Sequence, residues 1–180
     1  MKIFERKHKV LCISSSYPVH PRLKKIGDSF LNYSKDNTSC EVQYMMWDRL
    51  NFGDDDNYFV YKSNEGYGKK LKKIIGLFSY AYFMKKTISA YNPTMVICRY
   101  VDMAFLGCIL FRKGIVVYDV NDIPADESKI ASFIFSLMEK YVLKKVNLIV
   151  LSSRFFESRY KEYSHKIEIL ENKPQKIINN

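Results

Sequence analysis

Met95-Val96-Ile97-Cys98-Arg99 and Ile115-Val116-Val117-Tyr118-Asp119 are two short apolar runs, each closed by a charged residue. Between them lies Asp102–Arg112, a stretch that is almost wholly apolar. Runs of this length read as strands buried on both faces, and the stretch between them reads as a helix. Strand, helix and strand in that order imply two parallel strands joined by a right-handed crossover.

The same rhythm extends in both directions. Upstream, Lys9–Ser15 is an apolar run ending in small polar residues, which predicts a buried strand and a loop. Pro18 and Pro21 keep that loop extended. Leu23, Ile26, Phe30 and Leu31 then recur at helical spacing, and Glu41–Trp47 reads as the next strand. Arg49–Gly68 is irregular, with a triple aspartate and two glycines, and is expected to be a long surface loop that includes a short strand at Tyr58–Tyr61. A long helix runs from Lys69 to Tyr91 and stops at Asn92-Pro93. Downstream, Ser128–Lys145 is a helix, Leu148–Leu151 a strand, Arg154–Tyr163 a helix and Ile167–Leu170 a last strand. The expected architecture is a single α/β domain with a Rossmann-like, doubly wound parallel sheet in three α/β/α layers.

Length and composition agree with that reading. A chain of 180 residues accommodates one such domain and is too short for two ordinary ones. The formal net charge of +10 calls for an anionic partner: a membrane surface, a nucleic acid or a phosphorylated small molecule. Cys12, Cys40, Cys98 and Cys108 form no CxxC pair, and His8, His20 and His165 sit in unrelated segments. Neither a disulfide framework nor a metal site is expected, and the cysteine pattern suits a reducing cytosol. Met1–Lys9 is charged and leads straight into a strand, so no signal peptide is expected. Ile74–Met84 is uncharged but falls short of the roughly 20 residues that span a bilayer. The expected location is cytoplasmic, free or peripheral on the inner face of the plasma membrane.

Doubly wound sheets bind ligands beyond the carboxyl ends of their strands, which nominates Ser14–Arg22, Arg99–Asp102, Asp119–Asp126 and Ser152–Arg154. The first of these loops has neither GxGxxG nor GxxxxGK[ST], which argues against nicotinamide, flavin and P-loop enzymes. Arg22, Lys24 and Lys25 place cations at a helix start, where the helix dipole opposes them; a ligand phosphate or a solvated basic face would account for them. Asp119, Asn121 and Asp122 follow a buried strand, where such groups orient sugar hydroxyls or cap a turn. The helix Lys69–Tyr91 brackets an aromatic centre that includes Phe83 with Lys69, Lys70, Lys72, Lys73, Lys85 and Lys86. Basic ends around an overfull apolar face suit a helix lying on an anionic membrane, and equally a core helix with snorkelling lysines.

Five segments, in order, give the chain a family resemblance. His20-Pro21-Arg22-Leu23-Lys24-Lys25 and Asn92-Pro93-Thr94-Met95-Val96-Ile97 are the first two. Val117–Asp122, Val146–Ser152 and Ile167–Pro174 complete the set. Together they resemble the N-terminal domain of GT-B glycosyltransferases, in particular the retaining family 4. The resemblance implies an acceptor-side domain over residues 1–172, an interdomain linker beginning at 173–180, and a further Rossmann-like domain that holds the nucleotide-sugar donor. It implies no cofactor on this domain, no metal, and a half that is inactive alone. The acceptor would be a saccharide or a lipid-linked saccharide in capsular or surface polysaccharide synthesis. The family's loop histidine falls on Asn121, which hydrogen-bonds a hydroxyl but accepts no proton at neutral pH. Asn121 and Asp122 would face the transferred sugar, while Tyr17, Arg22, Lys25, Arg99, Ser153 and Asn172 would bind substrate. Alternatives are a non-catalytic flavodoxin-like binding domain, against which Ser14-Ser15-Ser16 argues, and a nucleic-acid-binding domain, which charge alone suggests and which is not expected.

Overall fold

Val10 and Cys12 are buried against one face of a sheet while Leu11 and Ile13, between them, are buried against the other. A strand with apolar residues on both sides needs cover on both sides, and the helices supply it. The computed structural model describes residues 8–36, 40–53, 58–63, 70–121 and 129–171, of which 34–36, 70–75 and 129–131 are described by backbone alone.

In chain order the elements are β1 (His8–Ser14), α1 (Pro21–Asp36), β2 (Cys40–Asp48), β3 (Phe59–Lys62), α2 (Lys70–Tyr91) and β4 (Met95–Arg99). They continue with α3 (Val101–Leu110), β5 (Ile115–Val120), α4 (Lys129–Lys145) and β6 (Leu148–Leu151). A 3₁₀ segment (Arg154–Lys166) and β7 (Ile167–Ile169) complete the described chain. All seven strands pair in parallel, in the order β3-β2-β1-β4-β5-β6-β7. The expected Rossmann-like sheet is therefore present, and Tyr58–Tyr61 is realised, one residue later, as edge strand β3.

Leu23 and Ile26 of α1 pack with Val10, Cys12, Tyr44, Ile97 and Val117 on one face. On the other face, Tyr80 and Met84 of α2, Met103 of α3 and Val142 of α4 cover Leu11, Ile13, Val96 and Tyr118. Trp47 stacks on Tyr80 at 5.2 Å between ring centroids and donates its indole N–H to Ser63. That donor is satisfied, so the largest side chain of the core is buried without leaving a polar atom unpaired.

Local sequence explains where the helices start and stop. Pro21 is the first residue of α1, where its fixed φ and missing N–H cost nothing, so it opens the helix rather than extending the loop. Asn92 adopts φ 51°, the left-handed conformation that ends α2, and its N–H donates to Ile88 O. Arg154–Lys166 departs from the expected helix. It is a run of 3₁₀ turns broken at Tyr160 and Tyr163, and it is held to α4 by Glu139, which accepts from Tyr160 Oη at 2.7 Å and Arg159 at 2.6 Å. Lys166 donates to the carbonyls of Leu143 and Val146, capping the end of α4.

Two predictions follow from this packing. A Cβ at Gly114 would collide with the backbone carbonyl of Thr94 and lie 2.6 Å from Phe111 Cζ. That carbonyl accepts from Ile115 N at the start of β5, so it cannot move without disturbing the β4–β5 pair. Gly114→Ala should cost about 1–3 kcal/mol, read as a lower urea midpoint at unchanged slope; an unaltered midpoint would refute the steric argument. Burial pushes every thiol up, Cys108 to about 11 and Cys12, Cys40 and Cys98 in the same direction. Because the thiolate is the nucleophile, a disulfide reagent at neutral pH should react with the folded chain roughly tenfold or more slowly than with the unfolded chain.

Candidate functional site

The sheet order reverses between β1 and β4: β1 leads to β2 and β3 on one side, β4 to β5, β6 and β7 on the other. In doubly wound sheets the loops leaving two such strands diverge, and ligands bind beyond their carboxyl ends. Ser14 closes β1 with a side-chain turn, its Oγ accepting from Ser16 N at 3.2 Å and lying 2.9 Å from Ser16 Oγ. The carbonyl of Ser14 accepts from Tyr80 Oη, which fixes this turn to α2 across the core. Three hydroxyl-bearing residues, Ser14, Ser15 and Ser16, thus occupy the mouth where dinucleotide binders carry glycines.

His20 stands at the start of α1. Its Nδ1 accepts from Arg22 N at 3.2 Å, capping the helix, and from Arg99 Nη1 at 2.6 Å. An arginine only donates, so Nδ1 is unprotonated and the neutral ring carries its proton on Nε2. Arg99, the last residue of β4, is 1% exposed and lies 4.8 Å over the ring of Tyr100. Tyr100 itself adopts φ 69° and ψ 153°, a conformation sparsely used by non-glycine residues, at the junction of β4 with α3. One residue on, Asp102 is buried and accepts from Met103 N at 2.9 Å.

Asp119 lies next to this group, two residues before Asn121, near the end of β5. It is fully buried, and Arg22 Nε meets its Oδ1 at 2.9 Å. Arg22 also donates from Nη1 to Leu170 O at 2.5 Å, so one guanidinium joins α1, β5 and the residue after β7. Burial holds the Asp119 carboxyl above the ordinary aspartate value, and the attraction of Arg22, then of Arg99, does not cancel the rise. Asp119 Oδ2 and Arg99 Nε are buried and make no hydrogen bond among the described residues. The carboxyl end of the sheet therefore holds two buried guanidinium groups, a buried carboxylate and a cluster of hydroxyls, a set suited to phosphate and sugar oxygens.

The structure distributes the sequence-derived candidates unevenly. Arg22 and Arg99 meet through His20, and Tyr17 is half-buried in the same loop, where the Tyr17–Pro18 peptide is cis. The Arg22 cation, which a helix dipole leaves unexplained, faces Asp119. Lys25 is half-buried on the next turn of α1. Asn121 is half-buried just beyond β5, and its carbonyl accepts from Ser152 Oγ. Ser153 caps the 3₁₀ segment by accepting from Phe155 N. Asp122, Asn172 and Lys69 lie outside the described residues, and of Lys70, Lys72 and Lys73 only the backbone is described. Lys85 and Lys86 are exposed on α2, whereas Phe83 is half-buried against Tyr61 and Tyr80. Asp119 and His20 are the residues that residue-by-residue reading underrated. An acid ending an apolar strand and a histidine just before a helix were the available signals.

Among the described residues, no three His, Cys, Asp or Glu side chains are placed to hold a metal ion, and no helix is long and apolar enough to cross a membrane. No protein-family profile and no curated protein sequence matches the chain. Solved structures do. Sucrose-phosphate synthase from Thermosynechococcus elongatus superposes with a TM-score of 0.65 at 11% identity, over 91% of this chain and 48% of that one. The S. aureus MnaA–UDP complex follows with a TM-score of 0.55 at 12% identity, over 90% and 43%. UDP-GlcNAc 2-epimerase from Methanocaldococcus jannaschii gives 0.52 at 11% identity, over 91% and 45%. The chain thus spans about half the length of the proteins it resembles. At these identities the likeness defines the fold, a Rossmann-like domain of the GT-B type.

The Arg22–Asp119 pair is open to a direct test. Arg22→Met leaves the carboxylate buried without its partner and should lower stability by about 3–5 kcal/mol at neutral pH. Asp119 already has a raised pKa when folded, and losing Arg22 raises it further. Below that raised value the carboxyl enters the fold neutral, so the deficit should narrow as pH falls. Denaturant curves that show the same deficit at mildly acid and neutral pH would exclude this role for the pair.

Proposed function

We propose that this chain forms the acceptor-side half of a nucleotide-sugar-dependent glycosyltransferase of the GT-B type. The observation that carries the reading is the polar set at the switch point, Arg99 with His20 and Arg22 with Asp119, in a fold shared with half of sucrose-phosphate synthase. On this reading a second Rossmann-like domain follows the linker at 173–180 and holds the donor. Transfer takes place between the halves as they close and exclude water. Asn121 and Asp122 face the transferred sugar. Tyr17, Lys25, Arg99, Ser153 and Asn172 contact the acceptor, and Arg22 borders its phosphate from within the pair with Asp119. The reaction is of the retaining, family 4 kind and needs no metal.

The acceptor is a saccharide on a lipid carrier, in capsular or surface polysaccharide synthesis. The basic helix α2, with Lys70, Lys72, Lys73, Lys85 and Lys86 along with Phe83, and Lys69 preceding it in sequence, would hold the enzyme to the inner face of the plasma membrane. A second reading, an epimerase acting on a nucleotide sugar, is favoured by the likeness to UDP-GlcNAc 2-epimerase.

The two readings separate in a binding experiment on this chain. Under the first, NMR titration with a short prenyl-diphosphate-linked sugar should shift the amides of Ser14–Ser16 and Arg99, and Arg99→Lys should weaken binding about tenfold, as loss of a bidentate anion contact does. UDP-GlcNAc should leave those amides in place. Shifts from UDP-GlcNAc with none from the prenyl diphosphate would reject the acceptor role and favour the epimerase.

A further inference from the structure

Core packing fixes which way α4 faces. Glu139, Val142, Leu143 and Val146 are buried on one side of this part of the chain. Helical spacing places Phe133, Ile134, Leu137 and Tyr141 on the opposite side, and they are 64, 49, 51 and 37% exposed. Solvent-facing helix surfaces of globular domains are ordinarily polar, and contiguous apolar stripes mark a contact. Lys140 and Lys144 lie in the same outward sector, one turn further on, and are exposed.

Charge says what the stripe meets. Two carboxylates occur among the described residues of α2, α3 and α4, namely Asp102 and Glu139, and both are buried. Glu139 is engaged by Arg159 and Tyr160. The outer side of this helical layer therefore presents Lys85, Lys86, Lys140, Lys144 and Lys145 with no exposed acid on the same helices. On α2, Phe78 and Tyr82 also face outward, 75 and 62% exposed, and Lys86 Nζ lies 4.7 Å over the Tyr82 ring. An apolar stripe whose own helix layer exposes cations and no described acid complements a surface that is negative at its boundary and apolar beneath it.

We infer that α4 is a membrane-docking element: Phe133, Ile134, Leu137 and Tyr141 enter the headgroup boundary of an anionic bilayer while Lys140 and Lys144 bind its lipid phosphates. The inference extends the peripheral attachment proposed for α2 to a second helix. It does not depend on sugar transfer, because lipid binding is read without any substrate.

The experiment is flotation of the whole chain with vesicles of phosphatidylcholine, alone or mixed with phosphatidylglycerol. Binding is expected to the mixed vesicles only and to weaken with salt. Phe133→Ser with Leu137→Ser, and separately Lys140→Glu with Lys144→Glu, should each lower the apparent affinity about tenfold or more while leaving the melting temperature in place. In a third variant, Phe133→Trp, the emission should shift to the blue on adding mixed vesicles; Trp47 is buried and contributes a constant background. Wild-type affinity in both double variants, or an unmoved emission maximum, overturns the inference. So does a dimer in solution that Phe133→Ser with Leu137→Ser dissociates, since a second copy would then be the occupant. Vesicle binding lost on substituting Phe78 and Tyr82 but kept in both α4 variants would assign docking to α2 alone and reject this role for α4. Failure of the prenyl-diphosphate titration leaves each of these outcomes readable.

Discussion

The ion pair between Arg22 and Asp119 is the constraint around which the upper end of the sheet is organised. It spans the carboxyl end of the sheet: Arg22 belongs to α1, Asp119 to β5, and the second guanidinium contact reaches the carbonyl after β7. Arg22 and Asp119 are distant in sequence, and β1, the strand before α1, does not pair with β5. A buried pair of this kind adds little net stability over apolar residues of the same size, because both ions are desolvated. It does impose direction. With Asp119 buried, one specific position of α1 has to supply the cation, and the start of that helix is fixed relative to β5.

His20 inherits its place from that arrangement. Its Nδ1 is held between the backbone of Arg22 and the guanidinium of Arg99, so the start of α1 and the end of β4 are joined through one imidazole. Two arginines are thereby brought under one roof at the switch point, with Asp119 as the counter-charge. Positive potential buried beside hydroxyl groups, with a carboxyl oxygen and a guanidinium nitrogen not committed to other described residues, favours an anionic and hydroxylated ligand over an apolar one. The strained backbone of Tyr100 belongs to the same junction, and strain persists where surrounding contacts over-determine it.

How much of this was legible in the sequence depended on whether the signal was local. Apolar runs set β1, β4, β5 and β6 almost to the residue, because a strand buried on both faces leaves a continuous apolar trace. Arg154–Lys166 misled, since its aromatic and charged residues satisfy a helical period while Tyr160 and Tyr163 break the backbone. The candidate site was half legible. Loops beyond strand ends were nominated by topology alone, and Arg22 and Arg99 were found that way. Their roles were not, because Arg22 meets Asp119 across 97 residues of chain and no local pattern encodes that pairing. The outward stripe of α4 was hidden for a related reason. Apolar residues on a helix read as core until the structure shows which of them the sheet already covers.

The distribution of charge then explains what the net +10 could not. Arg22 and Arg99 are buried at the switch point, where Asp119 offsets one of the two charges. Among the described residues, α2 and α4 expose Lys85, Lys86, Lys140, Lys144 and Lys145 with no exposed acid, beside aromatic and aliphatic side chains, so charge and apolar surface coincide there. A nucleic-acid surface would pair such cations with stacking aromatics along a groove. Here the aliphatic Ile134 and Leu137 stand among the rings on the outer side of a helix, and buried aliphatic contact is what a bilayer supplies and a nucleic acid does not. Lipid accepts that combination of side chains.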